Sequence, residues 1–247
     1  MSKGRERKKH SQVLAPLRDT LQLGTRVYQA LLDSIVSGQL LPGDPLRPDA
    51  IANQLEVSTT PVREAMQRLE ADGLTIKLPY QGWFVREFTE AEVRSLYEFR
   101  AAMECFSVRL ACQRISDDGI AWLHQHQSTG RAALDAGDFD AYRQYNRDLH
   151  FAIIRAANNS HLLAVTGQMA LQAEMLMART IRISGRPHKA IEEHRELIAL
   201  IEKRDSEAAE KLMEFHIMSA MSELFSDKSE TKDQTAGRES DPHSYAR

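Results

Sequence analysis

Cysteine is nearly absent from the 247 residues: Cys105 and Cys112 are the only two, seven positions apart. Their surroundings read as a single helix, in which that spacing separates the Cα atoms by about 10 Å, too far for a disulfide. A reduced, cytoplasmic protein is the expectation. No apolar run approaches the roughly 18 residues that a membrane-spanning helix needs, so no membrane partner is expected. The basic start MSKGRERKKHSQ leads into no hydrophobic segment, which argues against a secretory signal. An excess of positive charge is missing too, since the formal net charge is -3. Any affinity for nucleic acid must therefore come from how charge is arranged. Neither His-Glu-x-x-His nor Glu-x-x-His occurs, which removes two common signatures of metal-dependent enzymes.

What is present fits a globular protein of two ordinary domains, with 42% hydrophobic and 27% charged residues. Proline and glycine punctuation concentrates before residue 90. There, Val27, Ala30, Leu31 and Ile35 form a helical stripe closed by Gly38, and LLPGDPL makes a turn-rich connector. A short helix over Pro48–Gln54 follows. Ser58 then reads as the N-cap of a helix with Pro61 in its first turn and Gly73 past its end. Extended pieces over Leu74–Leu78 and Trp83–Arg86 are joined by Pro79-Tyr80-Gln81-Gly82. From Thr89, which opens a capping box with Glu92, helical periodicity dominates to about Phe225. Helix starts at Ser116 or Asp117, Asp138, Ser160, near Pro187 and at Asp205 or Ser206 divide this stretch into about six helices, which pack as an antiparallel bundle. The expected fold is mainly α, with three helices and a two-stranded wing followed by an all-α bundle. Its parts are a disordered basic tail over 1–16, a winged helix-turn-helix over 17–87, the bundle over 88–226 and a disordered tail over 227–247. The first tail reads either as solvated charge or as an arm touching DNA.

A helix, a tight turn, a second helix with a polar start and then a hairpin is the pattern of a winged DNA reader. Small hydroxyl residues let a helix N-terminus approach phosphate, where free N–H groups and the dipole favour anions. Ser58-Thr59-Thr60-Pro61-Val62-Arg63 supplies them, and Arg63 can pair bidentately with a guanine edge. Ser58 equally serves as a plain cap, and Trp83 and Phe84 read as packing between wing and body. The run PGDPLRPDAIANQLEVSTTPVREAMQRLEADGL, with YQGWFV after it, resembles the N-terminal signature of the GntR family of bacterial regulators. That resemblance implies a recognition helix in the major groove and a hairpin tip at the minor groove. It marks Ser58, Thr60, Arg63 and Gly82 as DNA contacts. Thr59 and Gln81 stand where the family often has basic residues, which implies an altered operator or weaker affinity. Together with Arg68 these residues make the candidate DNA-contact set.

Among nine histidines, three sit in apolar helical contexts: His150, His194 and His216. From spacing alone they read either as packed, hydrogen-bonded residues or as three imidazoles converging on a metal. Asn146, one turn before His150, shares its face, whereas Asp148 points away. The segments YEFRAAME from Tyr97, the His150 helix ending Ala156-Ala157-Asn158-Asn159, Glu193-His194-Arg195 and Met213-Glu214-Phe215-His216 resemble the FCD effector domain of the FadR-type branch of the same family. The resemblance implies a divalent ion, zinc or nickel, held by one Asp and three His. Here Asn146 takes the Asp position, so the ion would keep its full charge and draw an anionic ligand. A small carboxylate effector follows as the expectation, with Arg100 near its pocket. Arg179 and Arg182 are looser candidates for the same role and read equally well as surface cations.

The leading reading is a ligand-responsive transcriptional regulator, taken as a repressor although the sequence does not decide between repression and activation, which binds a palindromic operator as a homodimer. Two alternatives stay open at this point: a metal-dependent enzyme in the bundle, and a DNA-binding protein whose bundle only dimerises around a structural ion.

Overall fold

The computed structural model describes residues 20–236; the basic tail expected over 1–16 and the final residues of the C-terminal tail lie outside them. Helix α1 (Thr20–Val36) buries Val27, Leu31 and Ile35 along one stripe and ends at Gly38, whose φ of 73° only glycine adopts without strain. Helix α2 (Pro48–Gln54) starts on a proline, which suits a first turn that has no carbonyl partner for an N–H. Helix α3 (Thr59–Ala71) buries Val62, Ala65, Met66 and Leu69 at helical spacing in the core shared with α1. Burying Val62, Met66 and Leu69 contributes about 1.5–3 kcal/mol each, which is what fixes α3 on the body of the domain.

The sheet has three strands where the sequence shows two. Besides β2 (Thr75–Leu78) and β3 (Gly82–Val85), a two-residue strand β1 (Pro45–Leu46) pairs antiparallel with β3, opposing Pro45 to Phe84 and Leu46 to Trp83. Two residues are too few for a period-2 pattern, and a proline argues against a strand except at an edge, which is where β1 lies. Trp83 and Val85 point inward, and the Trp83 indole donates to Glu70 Oε2 at 3.2 Å, tying the wing to α3. At the tip Tyr80 is fully exposed, with φ of 63°, next to Gly82 with φ of 99°.

The second unit comprises α4 (Glu90–Arg114), α5 (Asp117–Asp135), α6 (Phe139–Ala156), α7 (Ser160–Thr180), α8 (Arg186–Glu202) and α9 (Ser206–Ala236). The first four starts each have a side-chain cause. Thr89 and Glu92 form the reciprocal capping box, while Ser116, Asp138 and Asn159 accept first-turn N–H groups. Cys105 and Cys112 are free and buried in α4. Helix α9 runs on to Ala236, so the unstructured tail expected from Asp227 begins as helix; its polar composition lacks the apolar stripe by which sequence patterns reveal helices. Gly130 of α5 lets the Tyr145 ring lie against its backbone, since a Cβ there would come within 2.4 Å of that ring.

The two units are joined by more than the linker. Arg86 Nη2 donates to Glu92 Oε1 at 2.6 Å across the junction, and Phe88 packs against both cores. Helix α7 belongs to both: Met175 is buried in the core of the N-terminal unit and Leu171 packs against it. Gln172 Nε2 donates to the Asp72 carbonyl at the end of α3 (3.1 Å), and Arg182 Nη2 to the Ser37 carbonyl at the end of α1 (2.6 Å).

Candidate DNA-reading surface and histidine centre

Ser58, Thr60, Arg63 and Arg68 are exposed on α3, Thr59 is half-buried, and Gln81 and Gly82 sit at the hairpin tip. Ser58 occupies the N-cap position with extended backbone, yet its hydroxyl makes no capping hydrogen bond. Capping therefore does not occupy it, and it remains open to a phosphate. Arg68 stands apart from this group. Its guanidinium stacks 4.2 Å above the Tyr28 ring and donates to Thr25 Oγ1 at 3.3 Å, so it is turned back onto α1. The Tyr28 hydroxyl in turn donates to Asp72 (2.6 Å), fixing the far end of α3.

His150 from α6, His194 from α8 and His216 from α9 converge at the centre of the bundle, with one nitrogen of each within 4.8 Å of the others. All three are buried, His194 completely. Each Nδ1 faces an oxygen: Glu104 for His150, the Tyr145 hydroxyl (3.2 Å) for His194 and Glu193 (2.5 Å) for His216. Tyr145 donates its own proton to Gln127 Oε1, so its oxygen is left to accept. These partners place the imidazole proton on Nδ1 of each ring, so that the Nε2 of His150 faces Arg100 Nη2 at 3.4 Å while those of His194 and His216 face each other. The bare Nε2 atoms of His194 and His216 lie 3.2 Å apart. A shared proton or a cation bridges two such nitrogens at that distance, and tetrahedral ligands about 2.0–2.1 Å from one zinc stand about 3.3–3.4 Å apart. The donor set therefore fits a divalent ion, with Glu104, Glu193 and Tyr145 orienting its ligands.

Electrostatics keep His194 and His216 neutral. Burial drives His194 well below the ordinary histidine range, reinforced by His216, His150 and two arginines. Burial likewise lowers His216 to about 4, against the opposing pull of Glu193. Burial resists ionising Glu193, but hydrogen bonds from His216 and Arg186 bring it down to about 2. Glu104 behaves alike: burial opposes its charge, while Arg100 and His150 hold it well below the carboxylate range.

Arg100 is part of the centre, donating to Glu104 Oε1 at 2.5 Å with Nη2 3.4 Å from the His150 ring nitrogens. Asn146 is buried on the same face of α6, where its amide donates weakly to Met177 Sδ at 3.9 Å and lines a small cavity with His216. Asp148 bonds Gln144 at 2.7 Å instead. The other two arginines are not brought to the histidines. Arg182 reaches Ser37, at the rim of a groove of about 750 Å³ between the units, and half-buried Arg179 is felt electrostatically by the Tyr97 phenol. Sequence reasoning missed Glu104, Tyr145, Arg186 and Glu193. The spacing of Arg100 and Glu104 by one turn was a usable hint for the first; for Arg186, which binds Glu193 at 2.9 Å and the His216 carbonyl at 3.0 Å, there was none.

A three-stranded winged reader fused to a six-helix bundle with a buried histidine centre defines a class of bacterial transcription regulators. The family model "Bacterial regulatory proteins, gntR family" matches residues 23–85, and the model "FCD domain" matches residues 95–219. The chain belongs to the GntR family, with an FCD domain as its second unit, and is a transcriptional regulator, not an enzyme. Similar curated proteins include the HTH-type transcriptional repressor RspR of Escherichia coli (24% identical, over 81% of this chain and 88% of the relative). The Nta operon transcriptional regulator of Aminobacter aminovorans is 29% identical over 74% of this chain and 85% of its own. Among solved structures, E. coli McbR/YncC shares the fold with a TM-score of 0.72 at 23% identity, covering 83% of this chain and 98% of that one. Among the described residues no helix is long and apolar enough to cross a membrane.

Proposed function

We propose that the chain is a cytoplasmic repressor that binds a palindromic operator as a homodimer and responds to a small carboxylate bound beside a zinc or nickel ion. The observation that carries this reading is the convergence of His150, His194 and His216, one nitrogen of each within 4.8 Å of the others and each Nδ1 facing an oxygen, beside Arg100 and Asn146. Asn146 offers a carbonyl oxygen as a fourth, weaker ligand. Neutral imidazoles and a neutral amide leave the ion's charge uncompensated, which favours an anion in the remaining coordination position. When bound, the ion would supply electrostatic attraction for a carboxylate. Arg100 adds a charge-assisted contact beside it. At the other end, Ser58, Thr60, Arg63 and the hairpin tip face outward for DNA. Helix α7, which touches both regions, supports control of DNA binding from the bundle.

The complete burial of His194 favours a second reading, in which the ion only holds the bundle together. One experiment separates the two. Metal content is measured on the native protein and on His194→Ala, followed by operator binding with and without candidate acids. The sensor reading expects stoichiometric zinc or nickel in the native protein, none in the variant, and an acid response lost with the metal while basal DNA binding persists. Asn146→Asp should hold metal more tightly and carboxylates less. A native protein that retains metal but answers to no carboxylate supports the structural ion. Absence of metal from both proteins, with no thermal shift on adding zinc or nickel, leaves the histidines as packing residues.

A further inference from the structure

Two narrow cavities flank the histidine centre and share Arg100 and Met177 as a common wall. The first, about 40 Å³, lies between α4, α6 and α7 and is faced by Phe151, Ile154, Met169 and Ala170. Its charged groups are already matched: Glu104 with Arg100, and Glu174 with Arg143 (2.9 Å) and Arg147 (3.1 Å). The Thr166 hydroxyl there is committed to the Leu162 carbonyl at 2.7 Å. The second, about 30 Å³, is of mixed lining, with Asn146, His216 and Arg186, the last paired with Glu193, facing Arg100 beside Ile181, Pro187 and Ala190. Its Asn146 amide has only a thioether as acceptor, at 3.9 Å, which leaves most of its donor capacity unspent. The partition between the two is Met177, an unbranched and rotatable side chain suited to moving aside.

We propose that the two cavities are the two ends of one ligand site, and that it takes a monocarboxylate with an apolar body, a medium-chain or aromatic acid, not a di- or tricarboxylate. The carboxylate occupies the end beside Asn146, Arg100 and Arg186. The apolar body displaces Met177 and fills the end walled by Phe151, Ile154 and Met169. A second carboxylate carried to that end would face the Glu104 and Glu174 carboxylates, a costly burial of like charge, whereas no acid among the described residues lines the end beside Asn146. Cavities this small hold no more than a water or two, so the ligand must move side chains to enter. Both methionines in its way, Met169 and Met177, sit on α7, whose Leu171, Gln172 and Met175 dock on the DNA-reading unit. The apolar body is thus also what presses on the link between the units.

This inference rests on the carboxylate reading above and deepens it. The test is calorimetric titration of the full-length, zinc-supplemented protein with acetate, hexanoate, benzoate, succinate and citrate. Each buried methylene strengthens binding by about fourfold, so hexanoate or benzoate should bind at least about tenfold more tightly than acetate, and more tightly than succinate and citrate. Ala170→Leu, at a half-buried helical position, fills the apolar end; it should weaken hexanoate and benzoate by about tenfold and leave acetate within about twofold. Tighter binding of citrate or succinate, or an Ala170→Leu protein with unchanged preference, overturns the inference and leaves the carboxylate reading standing. If none of the five acids binds, the carboxylate reading itself fails and takes this inference with it.

Discussion

At the scale of single residues, the three histidines were legible because each interrupts an apolar stripe, and a polar ring on a buried face must find partners. Those partners were not legible. Glu104 lies 46 positions from His150 and Glu193 lies 23 from His216, on different helices, so only the packing of the bundle joins them. The DNA-reading residues divide in the same way. Arg63 is exposed on the outer face of α3 near its polar start, whereas Arg68, a residue of the same type on the same helix, is stacked on Tyr28 and bonded to α1. Arg63→Ala should therefore cost on the order of 1–3 kcal/mol at the operator in a titration at fixed salt, with the fold unchanged. Arg68→Ala should show its loss chiefly in thermal stability. Equal affinity of Arg63→Ala and the native protein would remove Arg63 from readout.

At the scale of elements, helix boundaries were legible wherever a capping residue set them, as at Thr89, Ser116 and Asp138. The edge strand Pro45–Leu46 was not, because its pairing is imposed by β3 and not by its own pattern. Nor was the double allegiance of α7, a helix apolar on more than one side whose sequence does not say which core each side enters. With Met175 inside the N-terminal core, the two units should not unfold independently. Met175→Ala should cost about 2–5 kcal/mol and separate one thermal transition into two. Two transitions already present in the native protein would show that α7 does not couple the units. The linker contributes a pH-dependent contact of its own. Glu92 is held at about 2 by hydrogen bonds from the Thr89 backbone, Arg86 and the Thr89 hydroxyl. A lowered carboxyl stabilises the fold above its unfolded value near 4.5, and that contribution disappears as pH falls from 4.5 towards 2. Glu92→Gln should flatten this part of the acid-stability profile; a profile identical to the native one would rule the contact out.

At the scale of the whole molecule, a palindromic operator is matched most directly by a two-fold dimer, and the bundle offers one face suited to it. Helices α4 and α9 pack together, and Phe99 (41% exposed) and Phe106 (36%) on α4 and Phe215 (61%) on α9 remain accessible to solvent. The Arg109–Glu210 ion pair bridges the two helices beside them at 3.7 Å, and the Arg109 guanidinium lies 4.9 Å from the Phe106 ring centre. Three exposed aromatic side chains on two packed helices exceed what scattered surface residues explain, and a second copy seated on these helices would cover them. Since the face lies on the bundle, pairing through it leaves both winged units free to reach successive half-sites. The native protein should sediment near 56 kDa, twice the 28.0 kDa of one chain, and protect a symmetric stretch of operator. Phe215→Glu, which removes no core packing and puts like charges opposite one another across the two-fold axis, should shift the protein to 28 kDa. Operator affinity should fall with it, because each winged unit then binds its half-site alone, while the melting of the monomeric bundle stays close to native. A Phe215→Glu protein that remains dimeric moves the interface to another face, and a native protein that is monomeric on DNA at micromolar concentration removes the two-fold arrangement altogether.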